Sequence, residues 1–152
     1  RKHWQHHDHP ASSKDPDYHD GEHRSFPAWY FSFMREYMSI FQLIGLALIF
    51  QVLEHIVGLS ALNIALFWAL PPIVSSFQLF YFGTYLPHRG EVESFEDAHH
   101  ARSNEYSVLW SFLTCYHFGY HWEHHQYPGT PWWLLPQKRA ATRSSNISEA
   151  DT

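Results

Sequence analysis

The sequence predicts an all-α integral membrane protein, a helical bundle in which a transmembrane hairpin carries histidine-rich helices outside the bilayer. Two long apolar stretches, residues 37–58 and 62–86, each provide the roughly 20 apolar residues that a bilayer span requires. Histidine-rich clusters flank this apolar middle, "HWQHHDHP" at residues 3–10 and "HFGYHWEHHQYP" at residues 117–128. A length of 152 residues is typical of one domain.

Composition excludes several classes of protein. The formal net charge is -5 with neutral histidines, so no basic excess indicates a nucleic-acid partner. Cys115 is the only cysteine, which excludes an intrachain disulfide and a zinc site built from cysteines of this chain. Histidine is abundant instead, with 14 copies concentrated in clusters.

The two apolar stretches read as bilayer spans rather than as buried helices of a soluble bundle. Residues 62–86 contain no charged residue, and residues 37–58 contain only Glu54. A soluble bundle helix usually shows a polar stripe at helical period, which residues 62–86 lack. Every Lys and Arg lies before the first stretch or after the second, and the connection at 59–61 has none. The positive-inside bias therefore places both ends of the hairpin on the cytoplasmic side.

The remaining segments follow from local signals. Residues 10–28 contain prolines and Gly21 and read as a loop. Pro71 and Pro72 predict a kink or break in the second span. Residues 94–118 predict a helix that begins with a capping box. The polar sequence from Gln137 lacks periodicity, so we expect a membrane domain over residues 1–139 and a disordered tail over 140–152.

The histidine clusters predict a two-metal centre. Positions i, i+3 and i+4 share one face of a helix, so each cluster presents three imidazoles together. The predicted metal ligands of this kind are His3, His6 and His7 in the first cluster and His121, His124 and His125 in the second. Six imidazoles exceed the four ligands of one tetrahedral ion, which indicates two ions. Neutral imidazole suits zinc, iron, copper or nickel. Because a hairpin has two spans, its ends return to the same membrane face, and the two clusters can therefore meet there.

Other polar residues near the clusters are weaker candidates. Asp8, His9, His117 and Glu123 are predicted to orient the ligands through hydrogen bonds, although Glu123 could equally face water. His88 and Arg89 read as markers of the end of the second span. The isolated histidines His19, His23 and His55 read as ordinary surface or core residues.

The spacing of the clusters resembles the histidine boxes of the membrane diiron oxygenases, the superfamily of fatty acid desaturases and carotenoid oxygenases. That superfamily binds two irons through an upstream HxxxH or HxxxxH box followed by two HxxHH boxes. Residues 3–7 match the second box and residues 121–125 match the third. The first box does not occur in this sequence, so we expect the chain to be a C-terminal fragment that is inactive alone.

A closer resemblance is to the beta-carotene ketolases of bacteria and cyanobacteria, over residues 1 to about 139. It rests on "DPDYH" (15–19), "FGTYLPHRG" (82–90), "DAHHARS" (97–103), "CYHFGYHWEHH" (115–125) and "TPWWLLP" (130–136). The resemblance implies that His99 is a further metal ligand. His100, which stands where the family has asparagine, is the alternative.

The resemblance also implies an activity, a beta-carotene 4-ketolase with two Fe²⁺ ions as cofactor and O2 as co-substrate. A ferredoxin-like donor would supply electrons, and the lipid bilayer would surround the enzyme. Two hydroxylations of the C4 methylene of a beta-ionone ring would give a geminal diol, which loses water to give a ketone of the echinenone or canthaxanthin type. The aromatic residues Tyr120, Trp122, Trp132 and Trp133 would line the carotenoid channel, with Trp132 and Trp133 alternatively anchoring the membrane interface.

Two alternatives remain at this point. A carotenoid hydroxylase or a fatty acid desaturase would use the same scaffold and metal ligands. A histidine-rich membrane metal-binding or transport protein would place histidines along the spans, whereas here nearly all lie outside them. The sequence therefore favours an enzyme over a transporter.

Overall fold

The computed structural model describes residues 2–19, 25–90, 95 and 97–150, with side chains as far as residue 144. Within these ranges all regular elements are helical, which confirms the predicted all-α class. The chain divides into two compact units, one formed by His19–Phe80 and the other by Arg1–Tyr18 and Tyr81–Thr152.

The unit His19–Phe80 is built from apolar helices. Helix α2 (Phe26–Tyr37) begins with a proline in its first turn, where the missing N–H has no intrahelical partner to lose. Helix α3 (Ile40–His55) begins at a capping box, in which the Ser39 hydroxyl accepts from the Gln42 N–H and the Gln42 side chain accepts from the Ser39 N–H. The two helices meet at a bend of 85°.

The first apolar stretch is thus a helix with an exposed apolar surface. Helix α3 has no buried residue among its 16 positions, and leucine and isoleucine side chains cover it on all sides. A helix that is apolar all round is typical of a bilayer span. The chain here has the surface that the predicted first span requires, either alone or together with α2 as one bent span.

The second apolar stretch forms a long helix, Ala61–His88, which is long and apolar enough to cross a bilayer. It comprises α4 (Ala61–Ile64), a π-helical turn (Ala65–Ala69), α5 (Leu70–Phe80), a second π-helical turn (Tyr81–Tyr85) and α6 (Leu86–His88). Of the kink or break predicted at Pro71 and Pro72, the break does not occur, because the helix continues through both prolines. The π-helical turn, in which the Leu70 N–H donates to Ala65 O, lies directly before Pro71 and Pro72. These two prolines have no backbone N–H to donate to a helical hydrogen bond.

Aromatic contacts join α2 to α5 within the first unit. The Tyr30 hydroxyl lies 2.6 Å from the Ser76 hydroxyl, and the Tyr30 ring stacks on Phe77 at 4.1 Å. Trp29 and Phe80 are buried beside them. His19 packs edge-on against Trp29 at 4.7 Å as a buried core residue.

The other unit contains short helices joined by irregular segments: α1 (Lys2–Asp8), α7 (Val108–Cys115), α8 (His121–Gln126), a 3-10 turn (Trp132–Leu134) and α9 (Leu135–Ala150). Helix α7 ends where Tyr116 and His117 adopt left-handed backbone conformations, with φ of 46° and 63°. This reversal leads the chain directly into α8.

The predicted helix over 94–118 is limited to α7. Ser94 lies outside the described residues, and residues 101–107 are irregular. Their backbone groups bond to other elements instead of to one another, since Arg102 N–H donates to Pro87 O and Asn104 N–H to Gly119 O. Ser107 then caps α7 by accepting from Trp110 N–H.

The predicted disordered tail is helical as far as Ala150. Helix α9 passes through residue 140, and the hydroxyls of Thr142 and Ser144 bond to carbonyls one turn earlier. Arg139 and Arg143 on this helix both contact the Glu105 carboxylate. The composition of the tail does not predict these ion pairs with Glu105.

Candidate metal centre

Seven histidines of the unit Arg1–Tyr18 and Tyr81–Thr152 converge into two groups. The four-histidine group consists of His6, His88, His121 and His125, all buried. The three-histidine group consists of His3, which is exposed, His7, which is half-buried, and His124, which is buried at 8% exposure. Within each group the nitrogen atoms that could bind a metal lie within 4.8 Å of one another.

Two short helices supply six of these seven imidazoles. Helix α1 presents its three histidines on one face at spacings of three and four residues, and α8 does the same. The two faces meet, with His6 Nε2 3.0 Å from His125 Nε2 and His7 Nε2 3.1 Å from His124 Nε2. The structure therefore brings together all six residues of the two predicted boxes.

Neighbouring nitrogen atoms within each group lie about a hydrogen-bond length apart. In the four-histidine group, His121 Nε2 lies 2.9 Å from His88 Nε2 and 3.1 Å from His125 Nε2. In the three-histidine group, the Nε2 atoms of His3, His7 and His124 lie 3.1–3.2 Å apart. Each group is thus a cluster of imidazole nitrogens around a common centre.

Oxygen acceptors fix the tautomer of two of these rings. His6 Nδ1 lies 2.9 Å from both carboxylate oxygens of Asp15, and His88 Nδ1 lies 2.7 Å from the carbonyl oxygen of His100. Because a carboxylate and a carbonyl only accept, Nδ1 carries a proton, and in the neutral ring Nε2 then presents its lone pair to the group. The buried Asp15 carboxylate is itself held by the N–H groups of Ala11 and Asp17.

Burial keeps the imidazoles neutral. Burial, together with the smaller effect of neighbouring imidazoles, lowers the pKa of His7 to about 3 and that of His124 to about 4. The same two causes place the pKa values of His121 and His125 well below the ordinary value of 6.5. Neutral imidazole is the form that binds metal ions, so the ligands are ready at pH 7.

The arrangement fits a pair of metal ions. In the four-histidine group, two Nε2 lone pairs point inward from His6 and His88, and lone pairs in proximity repel unless a proton or a cation lies between them. An all-imidazole donor set suits iron, zinc, copper or nickel. Each group therefore has the donors for one ion.

His88 is the member of the site that sequence reasoning assigned only to the end of a span. It is the last residue of the helix Ala61–His88 and is buried to 1% exposure. The signal that could have found it is its place in "FGTYLPHRG", one of the motifs on which the family resemblance rests.

His99 and His100 lie beside the two groups. The His99 Nε2 atom is 2.9 Å from Gln126 Oε1, and its ring centroid is 5.8 Å from that of His125. His100 contributes its backbone carbonyl, which orients His88. Among the described residues, the groups of potential ligands contain neither side chain.

The four predicted orienting residues differ in position. Asp8 and His9 are exposed, whereas His117 and Glu123 are buried. His117 stacks on Tyr120 at 5.8 Å, and burial lowers its pKa. Glu123 accepts a short hydrogen bond from Ser103 and forms an ion pair with Arg139. Asp15, which sequence reasoning placed in the loop after the first cluster, contacts a histidine of the centre directly.

The four predicted channel residues also divide into two kinds. Tyr120 is buried and donates its hydroxyl proton to Tyr106 O at 2.9 Å, and the Trp122 indole N–H donates to Asp97 at 3.0 Å. Trp132 and Trp133 are exposed by 41% and 57%. Their exposure is the property that interface anchoring requires.

Comparison with known proteins gives a consistent picture. Residues 37–146 match the family model described as "Fatty acid desaturase". A "Beta-carotene ketolase" of Haematococcus lacustris is 46% identical over 145 residues, which cover 91% of this chain and 45% of the relative. A "Zeaxanthin 4-ketolase" of Chlamydomonas reinhardtii is 41% identical, covering 97% of this chain and 34% of the relative.

A bacterial relative shows the same pattern. A "Beta-carotene ketolase" of Paracoccus sp. (strain N81106 / MBIC 01143) is 44% identical over 139 residues, covering 91% of this chain and 56% of the relative. The chain thus spans about half the length, or less, of these curated relatives. No solved structure matches the chain.

Proposed function

Because this chain belongs to the fatty acid desaturase family, we propose that it contributes the second and third histidine boxes to a membrane-bound diiron beta-carotene 4-ketolase. The observation that carries the proposal is the convergence of the imidazoles of both boxes into two metal-binding groups. Identities of 40–46% to proteins named as ketolases support the choice of substrate.

The four-histidine group would hold one Fe²⁺ and the three-histidine group the other. When bound, the two ions would allow O2 to be reduced and a substrate C–H bond to be oxidised. A ferredoxin-like donor would provide the electrons. Asp15 holds the His6 ring through Nδ1, and the His100 carbonyl holds the His88 ring in the same way. Such contacts orient the ligands and raise their basicity.

The proposed reaction converts the C4 methylene of a beta-ionone ring to a ketone. Each of two hydroxylations would consume one O2, two electrons and two protons, place one oxygen atom into a C–H bond and form one water. The geminal diol then loses water. Tyr120, Trp122, Trp132 and Trp133 would border the path of the polyene, with Trp132 and Trp133 also suited to the membrane interface.

The proposed location is the cytoplasmic face of the membrane. His88 is the last residue of the long apolar helix Ala61–His88, which supports a centre at the bilayer boundary. All lysine and arginine residues lie outside the two apolar stretches, which favours a cytoplasmic position for both histidine boxes. A carotenoid dissolved in the bilayer could then reach the centre from the membrane.

Expression of the full-length gene in a host that accumulates beta-carotene tests the proposal. The expected result is a red ketocarotenoid that requires O2 and iron. Folded protein with an unchanged pigment profile would contradict ketolase activity. Hydroxylated products without a keto group would favour the hydroxylase, and altered fatty acids the desaturase. Because one relative is named a zeaxanthin 4-ketolase, a host that accumulates zeaxanthin is the second substrate to test.

A further inference from the structure

The helix that carries the third box is too short to hold its own orientation. Helix α8 has six residues, fewer than two turns, and isolated helices shorter than roughly 12 residues are marginal in water. The directions of His121, His124 and His125 therefore depend on contacts that α8 makes with the rest of the unit.

Glu123 provides the anchor on the opposite face of α8. At about 100° per residue, its side chain projects about 200° away from those of His121 and His125. The carboxylate is nevertheless buried, with 1% of the side chain exposed. A buried carboxylate is retained only where hydrogen bonds and a counter-charge compensate its desolvation.

Both oxygens of the Glu123 carboxylate have partners outside α8. Oε2 accepts a short hydrogen bond from the Ser103 hydroxyl, and Oε1 accepts from Arg139 Nη1 at 2.8 Å. The Ser103 hydroxyl also accepts from the Trp122 N–H at 3.0 Å, in the first turn of α8. The helix is thus tied at its first turn and at its outward face.

Arg139 contacts Glu123 and also two other residues of the same unit, Tyr120 and Glu105. Its guanidinium lies 5.3 Å from the centroid of the Tyr120 ring, which directly precedes α8, and Nη2 donates to Glu105 at 2.5 Å. The planar guanidinium can hold two carboxylates in fixed directions at once, which a lysine ammonium cannot do with the same geometry. Only 12% of the Arg139 side chain is exposed.

We propose that Arg139, acting through Glu123, is a positioning residue that sets the rotation of α8 and so aims its three histidines at the two metal ions. This inference rests on the metal centre of the proposed function. Arg139 and Ser103 also keep the Glu123 carboxylate, a competent metal ligand in its own right, occupied on the face away from the centre.

The release of Co²⁺ from the full-length protein in detergent tests this role. The variants are Arg139→Met, Arg139→Lys and, as matched control, Arg143→Met. Arg143 lies one helical turn further along α9 and contacts the same Glu105, but its side chain is half-exposed. The readouts are the rate of Co²⁺ loss to excess chelator and the visible absorption of bound Co²⁺.

Arg139→Met is expected to release Co²⁺ at least about 10-fold faster, with a changed visible spectrum, since loss of a ligand-orienting contact costs about 10–100-fold in metal affinity. Arg139→Lys, which retains the charge but not the planar geometry that holds two carboxylates at once, is expected to recover only part of this loss. Arg143→Met should match the wild type. If Arg139→Met does not fold, the double variant Glu123→Gln/Arg139→Met is measured instead, because it leaves no unpaired buried charge.

Wild-type release rates and spectra in the folded Arg139 variant would overturn the inference while leaving the metal centre intact. Failure of the double variant to fold would also overturn it, because Arg139 would then determine the fold rather than the direction of the ligands. A wild-type protein that retains no Co²⁺ would overturn the proposed centre itself, and the two failures are thereby distinguished.

Discussion

The Nε2 atom of His88 lies 2.9 Å from the Nε2 atom of His121, although 33 positions separate the two residues. His88 ends the long apolar helix, and His121 begins α8. A histidine from outside both HxxHH clusters thus lies in the four-histidine group, and this contact joins the third box to the end of the predicted span.

Replacing His88 is therefore expected to damage the centre more than replacing His99. His88→Ala should lower metal affinity at least about 100-fold, since even loss of an outer contact costs about 10–100-fold. His99→Ala should stay close to the wild type, because its ring contacts Gln126 outside the two groups. Metal content after dialysis measures both variants, and the reverse ranking would support His99 as a ligand in place of His88.

Asp15 offers a second comparison, with Asp8 as its control. Asp15→Asn should lower metal affinity by about 10–100-fold, because an amide no longer fixes the His6 proton on Nδ1. Asp8→Asn changes the same chemistry at an exposed position and should have no effect. Competition with a coloured chelator gives both affinities, and equal affinities for the two variants would contradict the role of Asp15.

The free energy of unfolding of the metal-free protein is expected to fall as the pH falls from about 6.5 towards 4. In this range the unfolded chain protonates histidines such as His124, whose folded pKa is about 4, so the unfolded state binds more protons. Each buried histidine contributes at most about 1.4 kcal/mol per pH unit. Well above pH 6.5 these histidines are neutral in both states and add no pH dependence to the free energy of unfolding.

Thermal unfolding of metal-stripped protein between pH 7.5 and 5 measures this effect. His124→Ala should reduce the loss of Tm at acidic pH. His9→Ala, at an exposed position, should leave the loss unchanged. A wild-type Tm that is flat across this range would show that the imidazoles are accessible to protons in the folded protein.

The 152-residue chain expressed alone is expected to hold one divalent ion tightly and a second weakly, and to lack ketolase activity. The four-histidine group is fully buried and draws on three separate elements, whereas the three-histidine group is open on the side of His3. Metal analysis after gel filtration counts the ions. Two tightly bound irons with O2-dependent turnover of beta-carotene would contradict the expectation.

Periodic features of the sequence were enough to predict the all-α membrane class and the two box helices. Apolar runs and the spacing of His3, His6 and His7 depend only on residues close in sequence. The structure accordingly contains the helices that they predict. The same holds for α8, where the second triplet shares one helical face. Both parts of this prediction are confirmed by the helical structure and by the family to which the chain belongs.

Long-range contacts account for what the sequence could not predict. The irregular course of residues 101–107 depends on the bond from Arg102 N–H to Pro87 O, and the helical tail on the contacts of α9 with Glu105. The position of His88 depends on where the long helix ends relative to α8. None of these pairs is close in sequence, so no periodic pattern reports them.

An all-nitrogen donor set has a consequence for which element occupies the centre. Among the described residues, both groups contain imidazole and no carboxylate. Divalent copper, nickel and zinc all bind such donors more tightly than ferrous iron does, following the Irving–Williams order. Supply within the cell, rather than intrinsic preference of the protein, would then decide which of these ions is inserted. Zinc found after overproduction in iron-poor medium would then reflect the metal supply of the culture.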